Sequence, residues 1–370
     1  MSIHPSTPSK SPPQSGGELR TDAPSCMAAH VMHERCAEDS MDDPLQKFTA
    51  SIAFVPTIVL HCDSDELLDA FKVVERGNTL TLGWTSHGSG HFFVEVHVPT
   101  QSIATVKKTS SGVATVHPSV LKRGADISLR SAGSGMLLVQ DDVVEATGLS
   151  LHQTGSGTIQ IQAAAVIVSG VIMTEVTGSG QVALVADRVA ANCMKLKGCG
   201  SGATLIAVNS TVNITGDAKV EVTASGGVNV VSDSFSASRL HSQVTGSGSV
   251  DIHTHSRFGA ATIESQVTGS GHIQVVGQGS TERHDVSITG SGTVNSTMCA
   301  SACDVKIMGS GYANFSDLNQ VAAKVIGSGR VQQLTLVRLQ PPYEVVAMPV
   351  PTPTAMPESA RNWLKKAIFG

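Results

Sequence analysis

Aromatic side chains make up only 4% of this 370-residue chain and charged ones only 15%. A globular core built on large rings is therefore a poor fit, and layers of small side chains suit the composition better. The formal net charge is −5, so no basic field exists to hold nucleic acid. No window reaches the ~18–20 apolar residues of a membrane span. The opening MSIHPSTPSKSPPQSGGELR has no apolar stretch of the signal-peptide kind, which makes a cytoplasmic location the default expectation. Seven cysteines lie scattered without zinc or redox spacing, and the odd count argues against a fully paired disulfide set. Cys193, Cys199, Cys299 and Cys303 are expected as buried free thiols.

Glycine is what the chain has in quantity, 36 residues of it, and much of it falls in one motif. Gly-Ser-Gly begins at positions 88, 133, 155, 178, 200, 246, 269, 290, 309 and 327, with degenerate copies at Ser110-Ser111-Gly112 and Ala224-Ser225-Gly226. Successive copies are 18 to 24 residues apart. A period of this length predicts a solenoid in which each repeat packs on its neighbours. A phosphate-binding loop is the rival reading. A dozen copies without a following helix or a Gly-Lys-Ser/Thr signature do not fit its mechanism.

Around the turns the pattern is apolar-Thr-Gly-Ser-Gly-x-apolar-x-apolar, as in Val244-Thr245-Gly246-Ser247-Gly248-Ser249-Val250-Asp251-Ile252. Alternation of this kind predicts strands with one buried face. Stacking the repeats predicts one inward column through Leu137, Ile159, Val182, Val228, Val250, Ile273, Val294 and Val331. A second runs through Val139, Ile161, Leu184, Ile206, Val230, Ile252, Val275 and Phe315. Between them an outward column holds Gln160, Asn229, Asp251, Gln274, Asn295, Asn314 and Gln332, where amides in register can form ladders. Glycines such as Gly248 and Gly271 are expected at positive φ in the sharp turns.

Five regions follow from these patterns. Residues 1–46, rich in Ser, Pro and charge, read as a disordered tail. Residues 47–99 read as a β-rich lead-in that caps the first coil, with strands at 52–55, 57–60, 80–82 and 93–98 and a helical turn at 65–69. The repeats fill 100–338 as an all-β, parallel β-helix-like solenoid of about 11–12 coils, a rod of ~55–60 Å at ~4.8 Å per layer. Residues 339–357 form a Pro-rich linker. Residues 358–370 form a basic amphipathic helix, which either caps the last coil or meets a membrane or partner.

The turn motif and its pitch resemble the putative auto-transporter adhesin head domain, known as the GIN domain, over about residues 50–335. The segments Val55-Pro56-Thr57-Ile58-Val59-Leu60, Asn78-Thr79-Leu80-Thr81-Leu82-Gly83 and Val94-Glu95-Val96-His97-Val98-Pro99 resemble that family's lead-in. The resemblance implies a right-handed solenoid and a role in adhesion at the cell surface. It carries no catalytic residues to transfer.

Candidate chemistry is sparse. Asp251, His253 and His255 alternate on one strand with Asp233 expected beside His255, a set of types that bind Zn²⁺ or Cu²⁺. His87 and His91 flank the first triplet. Asp141, Asp142, Glu145 and the pair Asp187-Arg188 are the best carboxylate candidates for a carbohydrate-cleaving site, without visible placement across a groove. No GGxGxD run supplies a Ca²⁺-binding roll. Asn209, Asn213, Asn295 and Asn314 open glycosylation acceptor triplets. The expectation is a monomeric, non-catalytic interaction protein without cofactor or metal, its partner a protein or glycan. A polysaccharide-binding lectin or polysaccharide-active enzyme is the alternative.

Overall fold

The computed structural model describes residues 27–33, 47–51, 56–62, 65–85, 92–316 and 321–333. They form a parallel β-solenoid of about 10 turns. At ~4.8 Å per layer that is a stack of ~48 Å, shorter than twelve coils would give. The lead-in strands pair antiparallel at the base and add no full coils there.

One turn is a nearly continuous strand bent around the axis, as in Thr158–Gly178. Its pairing with the next turn falls into three runs, 158–163, 165–168 and 171–178, with a register shift at the second corner. The Gly-Ser-Gly turn then closes the coil. Both predicted inward columns hold in the register. Leu137, Ile159, Val182, Thr204, Val228 and Val250 stack in line, as do Val139, Ile161, Leu184, Ile206, Val230 and Ile252. Most of these aliphatics are fully buried. Each is worth about 1.5–3 kcal/mol in transfer, and the next coil must close the layer before that is realised. On the middle side Phe258 lies on Phe235, ring centroids 5.3 Å apart.

The first glycine of the triplet has positive φ in turn after turn, from +100° at Gly155 to +127° at Gly309. The third does not, which corrects the reason expected for Gly248 and Gly271. A Cβ on Gly271 would sit 2.5 Å from the Gly248 carbonyl oxygen and 2.5 Å from Val244 Cγ1. Close approach of stacked backbones, and not handedness, excludes side chains there. Ala224 occupies the first position at φ +84° and so carries left-handed strain. Replacing Ala224 by Gly should therefore raise stability by about 1 kcal/mol, read as a higher urea midpoint; an unchanged or lower midpoint would mean the turn is relaxed.

The lead-in meets its expectations at Thr57–Cys62, Asp65–Ala70, Thr79–Trp84 and Phe92–Val98. Residues 52–55 lie outside the described residues. Two ladders cover the base of the stack. Strand Lys47–Ser51 pairs antiparallel with both Thr79–Trp84 and Thr105–Lys108. Met27–His33 inserts antiparallel between Phe92–Val98 and Val113–Val116. That strand departs from the disordered reading of residues 1–46. Its own sequence is short and weakly patterned, and its backbone partners come from two distant strands with otherwise open edges. Trp84 packs on Phe71 and Phe92 at 5.1 and 4.1 Å between centroids, an aromatic plug in a chain with few rings.

The thiols are less uniform than expected. Cys303 is buried, and desolvation pushes its pKa up to about 12. Cys193 and Cys199 are half-buried and Cys299 is exposed, because the last opens a strand at a corner where side chains alternate outward. The triplet at Gly88, His87 and His91, the Pro-rich linker and the 358–370 helix lie outside the described residues.

Candidate binding face

The outer surface of the third run, just before each triplet, is a ladder of charged and amide side chains. One column, three residues before each triplet, runs His152, Glu175, Lys197, Glu221, Gln243, Gln266, Ser287 and Lys306. Its neighbour, five residues before each triplet, runs Lys195, Lys219, His241, Glu264, Asp285 and Asp304. Their constant offset was readable in the sequence, but the sequence reading followed only the residues after the turn.

The columns are knitted by ion pairs between coils. Glu175 accepts from Lys197 at 3.2 Å and faces His152 Nδ1 at 3.3 Å. The Lys197 hydrogen bond holds the Glu175 carboxyl below its usual range. His241 meets Glu264 at 3.0 Å. Arg283 makes two bonds to Asp285 at 2.9 and 2.8 Å and reaches Asp304 in the next coil at 2.9 Å. Such exposed pairs add little stability singly. Their effect is to fix charge at a regular spacing. Beside Arg283, an open depression of about 310 Å³ is lined by Glu264, Gln266, Asp285, Ser287, Asp304 and Lys306.

The proposed metal set does not converge. Asp251 pairs with His272 at 3.4 Å, and that bond raises the imidazole pKa. His253 Nε2 meets Gln274 at 3.1 Å, and burial lowers its pKa. His255 Nδ1 donates to the Ser232 carbonyl at 3.1 Å, and Asp233 accepts from Ser256 instead of His255. The strand bends at a register shift between Ser232 and Ser234, which ends the alternation assumed across His255. Among the described residues no group of three or more His, Cys, Asp or Glu side chains is placed to hold a metal ion.

The carboxylate candidates are also separate. Asp141 is buried and caps a corner, accepting from the Ser119 and Asp142 amides at 3.1 and 2.8 Å. Desolvation nonetheless raises its pKa. Asp142, Glu145 and Arg188 are exposed, and Asp187 accepts from Asn209 Nδ2 at 2.8 Å. One rung of the expected amide ladder forms, Asn314 Nδ2 donating to Asn295 Oδ1 at 2.6 Å, while the Asn229 and Asn314 amide oxygens are buried without a partner among the described residues.

A solenoid of stacked strands, closed by Gly-Ser-Gly turns and bearing a regular ladder, invites comparison by repeat. Residues 209–334 match the family model of the putative auto-transporter adhesin, head GIN domain. No curated protein and no solved structure matches the chain. The GIN match begins at Asn209, yet the same inward columns continue down to Leu137 in unbroken register. Coils before the match are therefore built like the coils within it. Among the described residues no helix is long and apolar enough to cross a membrane.

Proposed function

We propose that this chain is a non-catalytic interaction protein whose GIN-type solenoid holds an extended partner against the charged ladder of its third side. One observation carries the reading. Charges from successive coils are fixed at ~4.8 Å intervals on a flat sheet surface, with Arg283 bridging two coils. A rigid, repeating face suits a repetitive or extended partner, protein or glycan, better than a compact ligand. Adhesion at the cell surface is the specific role in keeping with the family match.

Binding of the purified chain to cell-surface preparations and to a glycan array tests this. The paired substitution Arg283→Glu, Lys306→Glu is expected to weaken binding about tenfold, the equivalent of ~1.4 kcal/mol. Unchanged affinity would remove the ladder as the binding face. Turnover of a bound polysaccharide would establish the enzyme alternative. Protease accessibility of a tagged chain on intact cells tests the adhesive role, which requires exposure outside the cell.

A further inference from the structure

The first side of the solenoid carries a buried strip on its outer surface. In the strands after each turn, Leu137 and Val139 point inward, so the residue between them points outward. That outward column is Leu138, Gln160, Ala183, Leu205, Asn229 and Asp251 in successive coils. An outward column on a solvated sheet should be exposed. Here the six are 1%, 0%, 1%, 0%, 4% and 8% exposed. Farther along, Gln274, Asn295 and Asn314 are half-buried and Gln332 is exposed. Leu138, Ala183 and Leu205 also stand outside the contiguous core, which includes Leu137 and Val139. Among the described residues, the strands bearing them pair with strands stacked before and after them. A cover over the strip must come from outside the described residues.

We propose that this cover is the chain's own C-terminal segment, residues 343–350, folded back across the first side. The chain leaves the last coil at Gln333, next to Gln332, which occupies the same outward column. The described chain therefore ends on the correct side. From the Gln332 level to the Asp251 level is four coils, ~19 Å at ~4.8 Å each, and nine residues at ~3.3 Å reach ~30 Å. From Asp251 to Leu138 is five coils, ~24 Å, which about seven extended residues span. Tyr343-Glu344-Val345-Val346-Ala347-Met348-Pro349-Val350 has that length and an apolar content that fits Leu138, Ala183 and Leu205. Pro341-Pro342 stands where the chain must redirect. The other stretches fit less well. Residues 1–26 are dominated by Ser, Pro, Gly and charge, and 34–46 are tied at both ends to strands of the lead-in. The strip also holds a polar anchor: Asn229 Oδ1 is buried without a partner among the described residues. A crossing backbone N–H would satisfy it.

The inference is independent of the charged ladder, which lies on a different side. Its test places p-benzoylphenylalanine at Ala207, a half-buried residue at the strip's margin on the Leu205 strand, in the full chain. Illumination, trypsin cleavage and mass spectrometry should find a crosslink within one chain to the peptide of residues 339–361, released by cleavage after Arg338 and Arg361. The double substitution Val345→Asp, Val346→Asp should abolish that crosslink while leaving the β-rich circular dichroism intact. Crosslinks to residues 1–46, crosslinks between two chains, no crosslink at all, or persistence of the crosslink in the double variant would each overturn the proposal.

Discussion

Replacing Gly271 by Ala should destabilise the solenoid by about 2–3 kcal/mol, as overpacking against backbone does. Replacing Gly269 by Ala should cost at least as much, because its Cβ would sit 2.5 Å from the Gly246 carbonyl oxygen at a φ of +115°. Backbone φ alone would single out Gly269, at +115°, since no positive φ is found at Gly271. The added Cβ at Gly271 would meet both a carbonyl oxygen and a valine methyl at 2.5 Å. The chain contains its own control. Its twelve triplets have Ser110 and Ala224 as well as Gly at the first position, but only Gly at the third. Ala224 accommodates its methyl by shifting φ to +84°. The preceding coil's carbonyl is an obstacle at both positions, and at Gly271 a valine methyl is added to it. Urea midpoints of the two variants decide the matter. An unchanged midpoint for Gly271→Ala would refute this account of the turn.

Acidification should weaken the fold through one histidine. His284 takes the place of an aliphatic in the inward column between Ile263 and Cys303. Its Nε2 lies 3.1 Å from Ser265 Oγ, its Nδ1 has no partner, and Phe315 packs edge-on at 5.6 Å between centroids. Burial lowers its pKa from 6.5 to about 4. The folded state thus binds the proton less readily than the unfolded state. The imidazole's contribution is fully present above pH 6.5 and is lost as pH falls towards 4. Integrated over that interval the loss is about 3 kcal/mol. The titratable group nearest in sequence, Asp285, opposes the shift but does not cancel it. In His284→Leu the dependence on His284 disappears. Its unfolding free energy, measured against the parent between pH 4 and 7, should show a difference that grows in the variant's favour as pH falls. A constant difference would mean that His284 does not titrate in the folded interior. Near neutral pH the variant should lose about 1 kcal/mol, because the Ser265 hydroxyl is left without its partner.

The sequence by itself determined the architecture, and the reason is repetition. A turn motif every 18 to 24 residues, followed by strict alternation, permits one stacking register, because a slip of one residue would turn every aliphatic outward. The aliphatics of both inward columns were therefore legible residue by residue; that Thr204 and Ser296 interrupt the columns appears only in the stacking register. The charged ladder before each turn was equally periodic and equally legible. Tertiary structure alone decided what periodicity does not encode. Met27–His33 became a strand because two distant edges flank it. His255 left the Asp251–His253 line because the strand bends at a corner, so a ligand set drawn from straight alternation did not form. The third glycine of each turn is required by the backbone of the preceding coil, a contact between residues some twenty positions apart. Alternation told which way Leu138 and Leu205 point; only the folded chain, by burying them, shows that an outward direction need not lead to solvent.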